Sequence, residues 1–177
     1  METKIIYFVH GTTYDHASDR CSGWKQVDLN DLGVVQAKNL GKLTSNIKFD
    51  IIFTSDLKRA IDSADFAWPN TTKLRDKRLR ECNYGDYDGL SKNLVVYEDH
   101  ISMPFPNGES LIDVENRVKR FISFVKEHYQ GKTIGVMSHR APQLALEVLT
   151  KGISWQEALE NDWRKTKNWQ PGWEYIV

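Results

Sequence analysis

The stretch Lys4-Ile5-Ile6-Tyr7-Phe8-Val9-His10-Gly11-Thr12-Thr13 decides the fold. Its first six residues are β-branched, aromatic and apolar on both faces. That pattern belongs to a strand covered on both sides in a parallel sheet. It stops abruptly at His10-Gly11. Two further segments repeat it: residues 50–54, ending at Ser55-Asp56, and residues 133–137, ending at Ser138-His139. Residues 173–177 read as a last strand.

Helical periodicity fills the intervals. A helix is expected from Asn30, which can cap it, with Leu32, Val35, Leu40, Leu43 and Ile47 at helical spacing. Residues 57–68 read as a second helix, stopped by Pro69. Ser110 and Asp113 form a capping box before Val114, Val118, Phe121, Ile122, Val125 and Tyr129, which share one face. Residues 141–149 suit another helix, with Pro142 in its first turn. Buried strands alternating with amphipathic helices predict an α/β fold, a three-layer α/β/α arrangement around a mostly parallel sheet. One domain over residues 1–177 is expected.

Composition narrows the function classes. The 177 residues carry 24 Lys+Arg and 24 Asp+Glu, so formal net charge is zero, which argues against a protein held on nucleic acid by bulk charge. At 40% hydrophobic and 27% charged, the chain suits a globule with its own core. No apolar run approaches the ~20 residues needed to span a bilayer. The N-terminus shows no basic region followed by a long apolar one, so a cytoplasmic protein without a secretory signal is expected. Cys21 and Cys82 make no metal-type spacing and are expected to be reduced.

In open α/β sheets, ligands bind outside the carboxyl ends of the strands. The polar residues there are His10, Ser55 with Asp56, and Ser138 with His139, so two histidines are expected to face each other across one crevice. Arg59 follows the second strand end. Two imidazoles and a guanidinium suit a tetrahedral oxyanion, protonated histidine giving charge-assisted donors.

Six segments resemble, in order, the motifs of the histidine phosphatase superfamily, the phosphoglycerate mutase-like proteins. Residues 4–13 look like the strand and R-H-G-x-T. Ser22-Gly23-Trp24 with Leu29, Gly33, Gln36 and Ala37 looks like T/S-G-W…L-T-x-x-G-x-x-Q-A. Residues 54–60 look like T-S-x-L-x-R-A, and Leu79-Arg80-Glu81, with Tyr84, Gly85 and Gly89, like L-R-E-x-x-F/Y-G-x-x-x-G. Residues 106–110 look like P-x-G-E-S, and residues 136–139 like V-x-S-H-G. The resemblance covers nearly the whole chain.

It implies a phosphatase acting on small phosphomonoesters, without metal or cofactor. His10 would be the nucleophile, forming a phosphohistidine, its other ring nitrogen oriented by a backbone carbonyl. Arg59 and His139 would hold phosphoryl oxygens, and Glu81 would protonate the leaving oxygen and then activate water. Without the resemblance, Glu81 reads as one surface charge among Arg78, Arg80 and Asp86. Thr13, Ser22 and Gly23 match substrate-contacting positions. His16 stands where the family often has Asn, as a polar contact or an exposed loop residue. Lys92 resembles a mutase-branch lysine or is simply solvated.

Two departures bear on activity. The R-H-G arginine, which grips the phosphoryl group, is Val9 here. Charge-assisted hydrogen bonds are worth ~1.5–3 kcal/mol each, so losing a bidentate pair costs on the order of a hundred- to several-thousandfold in rate. Conversely, Arg140 replaces the glycine after the second histidine. It either restores the lost charge from the opposite wall or turns to solvent or a carboxylate such as Glu109. The mutase branch has a longer lid before P-x-G-E-S; here sixteen residues, 90–105, fill the gap, which favours water over a second acceptor. Trp155, Trp163, Trp169 and Trp173 either line a pocket or pack on the sheet edge.

Three rival readings stand beside hydrolysis: a phospho-ligand binder impaired by Val9, a mutase-type phosphotransferase, and a metal hydrolase using His10, Asp15, His16 and Asp56. The last fits neither H-E-x-x-H nor H-x-H-x-D-H spacing.

Overall fold

The computed structural model describes residues 2–177. Five strands form one sheet: β1 (Lys4–Val9), β2 (Ile51–Thr54), β3 (Lys73–Arg75), β4 (Thr133–Ser138) and β5 (Trp173–Ile176), in the order β3-β2-β4-β1-β5. All neighbours are parallel except β5, which runs antiparallel to β1. The three long apolar runs are thus the three inner strands. β3 is short and at an edge, and its polar sequence carries no strand signal.

Helices cover both faces: α2 (Asp31–Leu43) and α3 (Lys58–Ala67) on one, α4 (Leu111–His128), α5 (Arg140–Lys151) and α6 (Trp155–Glu160) on the other. Short α1 (Tyr14–Ala17) and α7 (Trp163–Thr166) sit in loops. Alternation along β1 feeds two cores. Ile5 and Tyr7 join the α4–α5 side, while Ile6 and Phe8 join Ile52, Ala60, Ala64 and Met137 beneath α3. The capping box of α4 forms, and Val114, Val118, Phe121, Ile122 and Val125 are buried, contributing roughly 1.5–3 kcal/mol each.

One expected face is corrected. Asn30 does cap α2, accepting from Gly33 N–H, but Leu32, Val35 and Leu43 are more than half exposed. The buried residues of α2 are Gly33 and Ala37. A Cβ on Gly33 would stand 2.0 Å from the Thr12 carbonyl oxygen, and one on Gly41 would stand 2.1 Å from that of Ala67. The helix is seated by its smallest residues, because backbone packs against backbone there; Leu40 and, beyond the helix, Ile47 pack against the smaller core as expected, while Leu32, Val35 and Leu43 turn outward.

Candidate active site

Register places the two histidines. Val9 pairs with Ser138 across parallel β1 and β4, and the ladder continues as His10 N–H donates to the Ser138 carbonyl at 3.2 Å. His10 and His139 therefore emerge side by side from neighbouring strands, ring centroids 5.0 Å apart and inclined by 60°. They do not face each other across a crevice, because no strand separates β1 from β4. The loop after His10 is tied down: Gly11 N–H donates to Ser63 Oγ at 3.0 Å, and Thr12 N–H to Gln36 Oε1 at 2.8 Å.

His10 Nδ1 lies 2.7 Å from the Gly11 carbonyl oxygen. A carbonyl only accepts, so Nδ1 carries the proton and Nε2 keeps its lone pair. Arg59 Nε donates to Nε2 at 3.3 Å; its other nitrogens donate to the Lys25 carbonyl at 3.0 Å and the Gly23 carbonyl at 2.7 Å. Burial, then the Arg59 charge, holds His10 well below the usual imidazole range. The same two causes, in the same order, depress His139. Both rings are thus neutral at pH 7, a change from the protonated donors expected. His139 is fully buried, and neither of its ring nitrogens has a hydrogen-bond partner.

Glu81 is buried and serves a structural end as well. Its Oε1 accepts from Cys82 N–H at 2.9 Å and Ala141 N–H at 3.0 Å, and its Oε2 from Arg140 N–H at 3.2 Å. The carboxylate caps α5, whose own N-cap, His139, makes no side-chain cap bond. Two guanidiniums brace the Glu81 loop. Arg80 forks onto Asp56 at 2.7 Å through both nitrogens, joining the loop to the end of β2. Buried Arg117 donates to the Glu81 carbonyl at 2.8 Å while paired with Glu109 at 2.9 Å. The P-N-G-E-S glutamate thus acts on Glu81 through Arg117, which sequence reasoning overlooked.

His10, Arg59 and Glu81 open on a cavity of about 710 Å³ whose wall also includes His16, Ser22, Gly23 and Arg140, while fully buried His139 sits against His10 off that wall. His16 stacks on His10, centroids 5.4 Å apart, and is likewise depressed by burial and Arg59. Its ring is sheltered against His10, yet the residue as a whole remains exposed on α1, so it is at once a wall residue and an exposed one. Ser22 Oγ donates to Asp15 at 3.0 Å. Thr13 is buried away from the wall; its Oγ1 accepts from His16 N–H as the cap of α1. Lys92 reaches the wall while ion-paired with Asp19. Among the described residues, no three His, Cys, Asp or Glu side chains gather as a metal cluster.

Arg140 pairs with a carboxylate, but with Asp162 at 2.7 Å, since Arg117 occupies Glu109. Its guanidinium also lies 4.4 Å from the centroid of the Tyr97 ring. The tryptophans divide. Trp155 is buried and donates to Glu115 at 2.7 Å, whereas Trp163 and Trp173, stacked at 5.3 Å, and half-exposed Trp169 line the cavity. Cys21 and Cys82 are free thiols, both buried. No described helix is long and apolar enough to cross a membrane.

Residues 6–169 match the histidine phosphatase superfamily (branch 1). The chain is 34% identical over 173 residues to a 2,3-bisphosphoglycerate-dependent phosphoglycerate mutase of Methylocella silvestris, covering 85% of this chain and 84% of that one. Phosphoserine phosphatase 1 of Hydrogenobacter thermophilus is 29% identical over 164 residues, 85% and 77% of the two chains. The solved structure of a mycobacterial glucosyl-3-phosphoglycerate phosphatase superposes with a TM-score of 0.79 at 21% identity, covering 89% of this chain and 85% of the other. At that identity the superposition speaks for the fold.

Proposed function

Because this chain belongs to the histidine phosphatase superfamily, we propose that it hydrolyses small phosphomonoesters through a phosphohistidine on His10. One observation carries the reading: the Gly11 carbonyl fixes the tautomer of His10, so a neutral imidazole points its Nε2 lone pair at Arg59. A nucleophile toward phosphorus needs that state.

In the first step Nε2 bonds to phosphorus and the bond to the leaving oxygen breaks, with Glu81 giving its proton to that oxygen. In the second, Glu81 takes a proton from water, the hydroxide bonds to phosphorus, and the phosphorus–nitrogen bond breaks to release phosphate. Oε2 of Glu81 makes the longer backbone bond, to Arg140, and is the oxygen that exchanges the proton. Arg59 moves from Nε2 to a phosphoryl oxygen once Nε2 is taken. The unpartnered nitrogens of His139 complete the cradle: a neutral imidazole N–H still donates. Ser22, Gly23, His16 and Arg140 complete the substrate-facing wall, while Thr13 acts through the cap of α1.

The mutase relatives bring a second reading, transfer to another hydroxyl. Segment 90–105 argues for water instead. Its Tyr97 is buried against Tyr84 and Glu81, so this length of chain is spent on packing.

The test is turnover of a phosphomonoester panel in EDTA, with quenching above neutral pH to keep an acid-labile phosphoryl group. Label on His10, abolished by His10→Ala, is expected. Label on serine or aspartate, full activity of His10→Ala, or a need for zinc or manganese would remove the mechanism.

A further inference from the structure

The proposed phosphoryl site is short of charge. A phosphomonoester brings close to two negative charges at neutral pH. Against it stands Arg59, whose nitrogens already serve His10, Lys25 and Gly23, and two neutral histidines. The residue preceding His10 is Val9, which lines the cavity and leans on the apolar core. The remaining cations on the wall are Arg20, Lys92, Arg140 and Arg164. Arg20 donates to the Gly89 carbonyl, and Lys92 is neutralised by Asp19.

Arg140 and Arg164 differ from these because they share one anion. Asp162 has a fully buried side chain and receives Arg140 Nε on Oδ2 at 2.7 Å and Arg164 Nη1 on Oδ1 at 2.9 Å. Two guanidiniums on one carboxylate leave one positive charge in excess at the cavity wall. Arg140 is held on the Tyr97 side. Arg164 is held by Asp162, by weak contacts to buried Gln143 at 3.4–3.5 Å, and by the Trp163 ring at 4.3 Å. The field of Arg164 reaches the His10 imidazole, where it adds to that of Arg59.

We infer that Arg164, splinted by Asp162, supplies from the C-terminal side of the cavity the phosphoryl-binding guanidinium that Val9 does not. The inference rests on the phosphatase reading and deepens it. The charge that a first-strand arginine would bring is relocated to α7, with Arg140 as the second occupant of the same splint. Relocation has a signature that simple loss lacks: an arginine restored at position 9 helps only when Arg164 is gone.

The experiment is a double-mutant cycle read by kcat/KM on p-nitrophenyl phosphate and by competitive inhibition with inorganic phosphate. Arg164→Ala is expected to lower kcat/KM on the order of a hundredfold, the scale of a lost charged contact to phosphate. It should also weaken phosphate inhibition at least tenfold. Arg164→Lys, which keeps the charge but not the fork, should recover part of both. Val9→Arg should bring no gain in the native protein and at least tenfold in Arg164→Ala. Changes under threefold in Arg164→Ala, or an equal gain from Val9→Arg in both backgrounds, would overturn the inference. If the native protein turns over no phosphomonoester, the phosphatase reading fails by itself. Calorimetry with inorganic phosphate then decides the inference: binding weakened tenfold by Arg164→Ala sustains it, and unchanged or undetectable binding overturns it.

Discussion

Replacing Glu81 by Gln separates the two duties of this side chain. The amide can turn its oxygen to the Oε1 position and keep the bonds from Cys82 and Ala141 at 2.9 and 3.0 Å. Its NH2 then faces Arg140 N–H, which now donates to Oε2 at 3.2 Å. One acceptor becomes a donor opposed to a donor, in a residue only 7% exposed. The expected loss of stability is about 1–3 kcal/mol, the cost of a buried donor left unsatisfied, seen as a lower urea midpoint at unchanged slope. The kinetic loss depends on the leaving group. An alkyl phosphate needs a proton on its departing oxygen, and removing a positioned acid costs roughly a hundred- to ten-thousandfold. The nitrophenolate of p-nitrophenyl phosphate departs without one, so its first step should fall much less. The assay is a single-turnover comparison of the two substrates with native enzyme and Glu81→Gln. Equal losses on both substrates, or an unchanged rate on the alkyl phosphate, would refute the assignment of Glu81 as acid.

Three further outcomes follow from the same geometry. His10, His16 and His139 all have depressed pKa values when folded, while the unfolded chain titrates near 6.5. The unfolded state therefore binds more protons below that pH, and stability should fall as pH drops from about 6.5 toward the folded values, by up to roughly 1.4 kcal/mol per pH unit for each of His10 and His139, and by less for exposed His16, whose surroundings are screened by solvent. Urea midpoints at pH 7.5 and 5.5 check this, and identical midpoints would contradict it. Gly33→Ala should destabilise by about 1–3 kcal/mol, since the new Cβ meets the Thr12 backbone oxygen at 2.0 Å and the clash outweighs the helix-propensity gain of about 1 kcal/mol. Because Thr12 follows the His10 loop, kcat should fall with it; a stabilised, fully active variant would disprove the packing account. Glu109→Gln should lower kcat with little change in phosphate inhibition, because Arg117, paired with Glu109, holds Glu81 through its main-chain carbonyl, and neither Arg117 nor Glu109 lines the cavity. A rise in KM alone would place Glu109 at the substrate instead.

Local chemistry made much of this protein legible without coordinates. The three inner strands announced themselves because a strand buried on both faces must be apolar throughout; of the polar residues at their ends, His10 lines the cavity, whereas Ser55 and His139 are fully buried, Ser55 accepting from Leu57 N–H. The capping box of α4 and the cap at Asn30 formed as written, because a cap needs only its own turn. What resisted was everything that depends on another segment. The face of α2 was legible only in part: Leu40 and Ile47 pack inward, but Leu32, Val35 and Leu43 do not, because glycines make close backbone packing possible while carrying no hydrophobic signal. β3 is polar because an edge strand need not be buried. The neutrality of His139 follows from complete burial beside Arg59, which no neighbour in sequence reveals. Glu109 and Arg117 act on Glu81 from 28 and 36 residues away. Asp162, Arg164 and Arg140 meet because α7 folds against the start of α5. Sequence determines which residue types stand at strand ends and helix caps, since those are set by periodicity over a few residues. Which charges share a carboxylate, and which histidine loses its proton, is decided only when distant segments exclude water from the same space.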